Sequence, residues 1–569
     1  MNIAWANSTT KGLKPQNEDA VGGVVPTPWL QQTKGLAFVI SDGVSTAEAG
    51  KEASEICVND FLSEYYKTPD AWPIKTSAHR TLMLLNRLLF GKNGKFQNAE
   101  QGYVATLSSI ILTSQQAYLF HIGDSRIYRV RDHHLEQLTR DHQVDHAGND
   151  SCLERAMGVD ASLPVDFKSI DIQLGDLFLM TTDGVHDFID SETMLATVDS
   201  INQDSQQICD ALIEKALANG SNDNLSCQLI TVKDLSQDQQ VLAESVESLL
   251  LPPLLKRGME FDGFKINAKL HSSAQNNAYL VTDVKTGEQM IMKTPSEKYD
   301  GDDKEYDRFM WEEWVGSRID HPNVVNIKKI QRSKKYLYYL MEVLTGETLD
   351  RWMERHPVPS GGQMIKLVNQ VIAGVHAFHE KGMVFCNINP SNIIVAADGG
   401  VKLVDFSSVF VGGITEKEQA NEHGKLLDAN YTDPEVRKGQ LPRVQSDIFS
   451  IATLAYEMLT QELPFGHKLS KCESLGSFAK LRYNHSFLHN QEIPVWFDGA
   501  LRSALELNPA KRYNSLTAFQ QELTNPNPYF LSEEYLRILE ASLPTVPFWK
   551  VLATLWVGSL IVGVLIFVV

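Results

Sequence analysis

LAFVISDG at residues 36–43 and LFLMTTDG at 177–184 share one arrangement, an apolar run that closes on Asp-Gly. An Asp at the end of a buried strand points its carboxylate off the edge of the sheet, where several such groups can converge on a cation. Taken singly, each pair reads as a hairpin turn, the commonest use of Asp-Gly after a strand. Their company changes the reading. Asn17-Glu18-Asp19 near the start and Asn222-Asp223-Asn224 before the strand LSCQLITV add carboxylates where a hard divalent ion held by oxygen needs them.

The chain that carries these acids has 569 residues, more than one hydrophobic core supports, so two or three domains are expected. A formal net charge of −19 repels a phosphate backbone and sets nucleic acid aside as a partner. Six cysteines stand far apart, with no C-x-x-C pair and no His at zinc spacing, which fits a reducing compartment and neither a disulfide framework nor a zinc site. The opening MNIAWANSTTKGLK lacks the apolar stretch of a signal peptide. The far end differs. VLATLWVGSLIVGVLIFVV at 551–569 is nineteen residues without a charge, about 28 Å as a helix and close to one bilayer core. With Trp549 and Lys550 at its mouth it reads as a single-pass C-terminal transmembrane helix, 549–569, with all that precedes it on the cytoplasmic face of the inner membrane. Ser559 and Gly563 have the small-xxx-small spacing that lets two such anchors pack as a homodimer.

Between the ends, composition divides the chain into a first domain (1–235), a Gln- then Leu-Pro-rich connector (236–261), a second domain (262–525) and a polar, Pro-broken juxtamembrane segment (526–548). In the first domain, β-branched runs alternate with turns and are interrupted by two helical stretches, EAGKEASEICVNDFLSEYY and SAHRTLMLLNRLLF. Stacked antiparallel sheets flanked by helices bury both patterns. NEDA (17–20), SDG (41–43), GYVATLSSIIL (102–112), GDSR (123–126), LTRDH (138–142), TTDG (181–184) and NDN (222–224) occur in the order found in the metal-dependent type 2C protein phosphatases, which this domain resembles along its whole length. The resemblance implies an α/β/β/α sandwich with two or three Mn²⁺ or Mg²⁺ ions in a carboxylate cleft. Asp19, Asp42, Asp183 and Asp223 would then be ligands, Gly43 would offer its carbonyl, Glu18 would hold a water, and Asp124 would sit at a third ion. Such an ion pair activates a water for attack on a phosphoester and needs no protein nucleophile. Where bacterial members place an Arg for the substrate phosphate this chain has Lys14, a point charge in place of a two-pronged grip. His142, His146 and His186 read as surface or loop residues.

The second domain opens with strands (KINAKLHSS, NNAYLVTDV, EQMIMKTP) and turns to long helices (GGQMIKLVNQVIAGVHAFHEKG, SDIFSIATLAYEMLTQELPF), a small sheet lobe joined to a larger helical one. It resembles the eukaryotic-type Ser/Thr protein kinases, which implies a bilobal fold and an ATP/Mg²⁺ site. Lys293 in MIMK matches the strand lysine and Glu312 its helix partner, Asn392 and Asp405 match the metal-holding positions, and Asp433-Pro434-Glu435, Asp447 and Arg512 match structural marks of the larger lobe. The parts that perform transfer are altered. The phosphate-covering loop has His271, Ser273 and Asn276 in place of three glycines. The catalytic loop reads FCNINPSN, so the base Asp is replaced by Asn387 and the phosphate-steadying Lys by Asn389.

The expected whole is therefore a multi-domain α+β chain: a metal-dependent serine/threonine phosphatase acting on phosphoproteins, a nucleotide-binding but catalytically impaired kinase-like domain, and a membrane anchor. A true bifunctional kinase and phosphatase is the alternative, and a non-catalytic scaffold the third reading.

Overall fold

The computed structural model describes residues 1–542 apart from 97, 146–150, 201–203, 236–248, 297–302, 331, 333, 358, 413, 415–426 and 473–474. The segment read as a transmembrane helix, most of the connector and His146 lie outside the described residues. Among the described residues no helix is long and apolar enough to cross a membrane.

Twelve strands build the first domain: β1 (Asn2–Thr10), β2 (Asp19–Val24), β3 (Leu36–Asp42), β4 (Leu107–Leu112), β5 (Gln116–Ile122), β6 (Arg126–Arg131), β7 (His134–Gln137), β8 (Gln143–Asp145), β9 (Ser151–Leu153), β10 (Asp166–Asp171), β11 (Leu177–Thr181) and β12 (Leu225–Asp234). Ten of them form two five-stranded sheets, ordered β1-β12-β11-β6-β7 and β10-β5-β4-β3-β2. Strand β3 shows why both sheets are covered on both faces. Leu36, Phe38 and Ile40 point between the sheets, against Phe178, Met180 and Ile230, while Ala37 and Val39 face a helical layer. Both sets are fully buried, so the strand reads as an unbroken apolar run and not as an alternation. The helical layer over this sheet consists of Gly50–Glu55, a π-turn at Ile56–Asp60, Phe61–Tyr65 and the long helix Ile74–Asn93. Helices Ser191–Ser200 and Ser205–Ala218 cover the other sheet through Met194, Val198, Ile208 and Leu212. The layers are the helix, sheet, sheet, helix order expected from the sequence.

In the second domain a six-stranded antiparallel sheet forms the small lobe, its strands including Phe264–Ser272, Asn276–Asp283 and Gln289–Pro295. The helix Asp303–Gly316 packs beside it. Helices Gly361–His379, Val444–Thr460, Val495–Ala504 and Leu516–Thr524 form the larger lobe. The end of the connector joins the small lobe, since Glu260–Phe261 pairs with Phe264–Lys265 and Leu250 bridges to Tyr336. Residues 528–542, read from sequence as part of a juxtamembrane stretch, pack on the larger lobe instead. Phe530, Tyr535 and Leu539 are buried in its core, and Phe530 sits so close to Gly499 that no side chain fits there.

Candidate active site

The β2–β3 register sets Asp19 directly opposite Asp42 at the open end of one sheet. From the facing sheet, Asp183 begins a helical turn immediately after β11, and Asp223 precedes β12. Four stretches of sequence thus deliver their acids to one cleft. Burial, then the charges of Asp19, Asp183 and Asp124, hold the Asp42 carboxyl well above the usual carboxylate range. Asp19 is pushed up to about 6, chiefly by burial and against hydrogen bonds from Ser226, Thr182 and Asp42. Asp183 rises to about 7, by burial and then by the charges of Asp124 and Asp223. Asp42 neighbours both Asp19 and Asp183, so three buried carboxyls crowd one another.

Neither pair of Asp and Gly is a hairpin turn. A Cβ at Gly43 would meet the carbonyl oxygens of Gly50 and Glu18, and one at Gly184 would fall on the carbonyl of Asn224. Each glycine lets a neighbouring backbone come close enough to seat the Asp before it. The amide of Gly43 donates to the Glu18 carbonyl at 3.1 Å, which ties the Glu18-Asp19 corner to the end of β3.

Lys14 reaches the rim of the same cleft. Its Nζ is 3.1 Å from Asp223 Oδ1 and donates to Ser45 Oγ at 3.1 Å. Glu18 is buried, its side chain accepting from Gln16 Nε2 at 2.9 Å. Asp124 is also buried, accepts from Gln143 Nε2 at 2.7 Å, and has its pKa raised by burial.

The donor set fits a hard divalent ion. Asp19 Oδ1 is buried with no hydrogen-bond partner, and three crowded carboxyls with raised pKa values are what a missing positive charge leaves behind. Among the described residues no three His, Cys, Asp or Glu side chains are already spread as a cation cage. Asp19, Asp42, Asp183 and Asp223 would hold such ions, with Gly43 and Asp124 at the edges.

Several residues that shape this cleft carried no role in the sequence reading. Thr182 Oγ1 donates to Asp19 Oδ2 at 2.9 Å. Asn224 Oδ1 accepts the Glu18 amide at 2.8 Å while its Nδ2 donates to the carbonyls of Lys11 and Gln16. Thr106 Oγ1 accepts the Asp42 amide at 3.0 Å, and Ser54 Oγ donates to the Glu18 carbonyl at 2.5 Å. Thr182, Asn224 and Thr106 lie inside the quoted motifs, the one signal that marked them. His142 and His186 are buried, His142 in a loop between β7 and β8, as the reading of surface or loop allows, and His186 in a short helical turn. His142 Nδ1 accepts the Gly123 amide, and His186 Nδ1 meets Thr181 Oγ1 at 2.9 Å, so each ring braces a turn beside the cleft.

In the second domain Lys293 Nζ lies 2.7 and 2.8 Å from the two carboxylate oxygens of Glu312. Asp405 takes a positive φ of 66° and accepts from the Ser407 amide and hydroxyl. Asp447 accepts the amides of Phe385 and Cys386 at 2.9 and 2.8 Å and fixes the catalytic loop from behind. Asp433 and Arg512 form a buried two-pronged pair at 2.7 and 2.9 Å. Glu312, Asn387, Asn389, Asn392 and Asp405 line one cavity of about 370 Å³. Inside it the loop is bonded to itself. Asn389 Nδ2 donates to Asn387 Oδ1 at 2.9 Å, and Asn392 Nδ2 donates to the Asn387 carbonyl at 3.1 Å. Ser273 and Asn276 close the turn above it, with Ser273 donating its amide to the Asn276 carbonyl.

Residues 14–229 match the family model for protein phosphatase 2C and residues 264–524 that for the protein kinase domain. The chain therefore carries a type 2C Ser/Thr phosphatase domain followed by a protein kinase domain. Among curated relatives, the serine/threonine-protein kinase PknL of Mycobacterium tuberculosis is 28% identical over 267 residues, 46% of this chain and 64% of that protein. The probable serine/threonine-protein kinase PknB of Lactococcus lactis is 24% identical over 256 residues, 45% of this chain and 40% of that protein. The chain thus spans less than two thirds of the length of either. Among solved structures, the catalytic domain of the serine threonine protein phosphatase PstP, in complex with two manganese ions, is 23% identical and covers 41% of this chain and 99% of its own (TM-score 0.34). The PknI kinase domain of Mycobacterium tuberculosis is 22% identical and covers 48% and 100% (TM-score 0.38).

Proposed function

We propose that the chain is a metal-dependent serine/threonine phosphoprotein phosphatase that carries a nucleotide-binding kinase-like domain impaired in transfer, tethered to the cytoplasmic face of a membrane through 549–569. The observation that carries the phosphatase reading is the gathering of Asp19, Asp42 and Asp183 around the unpartnered Asp19 Oδ1. When bound, a pair of Mn²⁺ or Mg²⁺ ions would supply an acidified water and neutralise phosphoryl charge. Lys14, at the rim beside Asp223, is placed to attract the substrate phosphate, and the Thr182 hydroxyl orients Asp19. Glu18, held at its amide by Asn224 and at its side chain by Gln16, is kept at the cleft wall.

Impaired transfer is supported by chemistry. An amide at 387 cannot take a proton, and its oxygen is already engaged by Asn389. Loss of a general base costs about 10²–10⁴-fold. The formed Lys293–Glu312 pair favours retained nucleotide binding. It also supports the second reading, a bifunctional kinase and phosphatase, as do the names of the relatives. The nineteen uncharged residues at 551–569 support the tether, which would concentrate the phosphatase near membrane-bound targets.

The deciding assay is Mn²⁺-dependent hydrolysis of a small aryl phosphate and of a phosphoserine protein by the full chain. Hydrolysis that EDTA and Asp183→Asn both abolish is expected. Turnover that persists in Asp183→Asn overturns the assignment, and brisk transfer from labelled ATP to protein, lost in Lys293→Ala, would favour the bifunctional reading.

A further inference from the structure

The two domains meet on the helix that completes the kinase-like cleft. Asp303–Gly316 carries Glu312 on the side facing Lys293, and the adjoining Trp311 and Trp314 on the side facing the phosphatase domain. Trp72 of the phosphatase domain packs against Trp314 with ring centroids 5.3 Å apart, and Trp72 and Leu84 are buried in the same core cluster as the kinase-like lobes. The Arg80 guanidinium lies 4.2 Å from the Trp72 ring and donates to Asp307 Oδ2 at 2.7 Å. Just past the end of this helix, Arg318 Nη1 is 3.1 Å from Glu64 Oε2, both side chains largely removed from water. The Glu64–Arg318 contact is an ion pair without a hydrogen bond, and because both charges are buried, removing or reversing one leaves the other uncompensated.

Each side of the interface runs to a site. On the kinase-like side Trp311 Nε1 donates to the Val409 carbonyl at 3.0 Å, and the Phe406 ring lies against Gly316, so the helix grips the segment that follows Asp405. On the phosphatase side Glu64 belongs to the helical run Gly50–Tyr65, whose other end bears Ser54, the donor to the Glu18 carbonyl. One helical run therefore touches the Arg318 contact at one end and the Glu18-Asp19 corner at the other.

We propose that this interface couples the two sites: metal held by the carboxylate cleft and closure of the Lys293–Glu312 cleft favour one another through Glu64–Arg318 and the Trp72–Trp314 contact. The inference rests on the metal-dependent reading above. Both features are present together in the docked structure, the acids gathered and the Lys293–Glu312 pair formed, and this co-occurrence is the ground for the positive sign. A ligand that prefers either feature favours both, and the coupling is reciprocal.

The test uses the full chain in detergent and Mn²⁺ alone, with two readouts, calorimetric affinity and hydrogen exchange of residues 303–316. Mn²⁺ should slow exchange in 303–316 in the wild type and not in Asp183→Asn. Arg318→Glu should weaken Mn²⁺ binding about five-fold or more and erase that protection, and Glu64→Arg combined with Arg318→Glu should restore most of both. Arg80→Ala, which removes the contacts to the Trp72 ring and to the half-exposed Asp307 but leaves Glu64–Arg318 and Trp72–Trp314 in place, is the gentler break and should lie between. Equal Mn²⁺ affinity in wild type, Arg80→Ala and the single Arg318→Glu, with exchange in 303–316 indifferent to metal, overturns the coupling and leaves the metal site standing. No Mn²⁺ binding by the wild type overturns the metal reading and the coupling with it.

Discussion

Asp19 and Asp42 face each other across two antiparallel strands, and Asp19 Oδ1 is buried there with no hydrogen-bond partner. An arrangement that costs folding energy without an ion is retained for what it does with one. Replacing Asp19 by Asn should therefore move activity and stability in opposite directions. Mn²⁺-dependent hydrolysis is expected to fall at least ~100-fold, the scale on which a positioned catalytic group contributes. The EDTA-treated protein at pH 8 should gain on the order of 1 kcal/mol, because a carboxyl raised to about 6 is paying for its charge there. Denaturant unfolding of both metal-free proteins measures the second effect, and a less stable Asp19→Asn would show that the carboxylate is satisfied by the protein itself.

Lys14 offers a second test, since its ammonium pairs with Asp223 and Ser45 at the cleft rim. Arg at this position keeps the charge and adds a two-pronged grip on phosphate, so Lys14→Arg should keep or lower KM for a phosphoprotein with little change in kcat. Lys14→Ala, which removes one charge-assisted contact, should raise KM about 10-fold. Steady-state kinetics separate the two, and a sharp rise in KM for Lys14→Arg means that Lys14 does not meet the phosphate.

How much of this could be read from sequence depended on how distinctive each residue's surroundings are. Asp42 and Asp183 announce themselves because each interrupts a long apolar run, and the helix-flanked sandwich follows from those runs. Ser54 does not, because a Ser in a helix is commonplace, and Thr182, though inside TTDG, bonds to Asp19, a partner that only the fold brings near. The burial of His142 and His186 was missed for the same reason, their partners being turns that only the fold brings near. The interface was hidden differently. Trp72 lies in one sequence domain and Trp311 and Trp314 in the other, and nothing in a linear pattern says that two cores are one. Residues 528–542 resemble a linker because Pro526 and Pro528 open the stretch and Pro544 and Pro547 follow it, whereas Phe530 and Tyr535 supply buried area.

In the kinase-like cleft, Asn389 donates to Asn387 in the place where a base and a lysine would act on substrate and phosphate. If those two substitutions are what silence transfer, Asn387→Asp together with Asn389→Lys should raise phosphotransfer by about 10² or more over the wild-type chain, and Asn387→Asp alone should raise it less. Lys293→Ala in the doubly restored chain should remove the gain, since it breaks the pair with Glu312. Labelled-ATP incorporation reads all four proteins. A restored loop that stays silent would place the defect in the Ser273–Asn276 turn.

His186 gives the fold a pH dependence that can be isolated by substitution. Burial, then the charge of Arg126, pushes its imidazole down to about 3, with Asp141 pulling the other way. Around the ring stand Thr181 at 2.9 Å, Asp187 at 3.9 Å, and Arg126, itself paired with Asp141. An imidazole held neutral in the fold but free to charge when unfolded makes the unfolded state bind the extra proton below its ordinary pKa of about 6.5. Its contribution is thus complete above about pH 6.5 and is lost as pH falls toward 3, reaching roughly 2 kcal/mol by pH 5. The raised carboxyls of the cleft act with opposite sign in the metal-free protein, so the wild-type curve alone does not reveal the histidine. The difference between wild type and His186→Asn does, because the acids are common to both. Denaturant unfolding from pH 7.5 to 5 should show the wild type losing ground to His186→Asn by about that amount, and parallel curves would mean that the buried ring takes up its proton as readily in the folded chain as in the unfolded one.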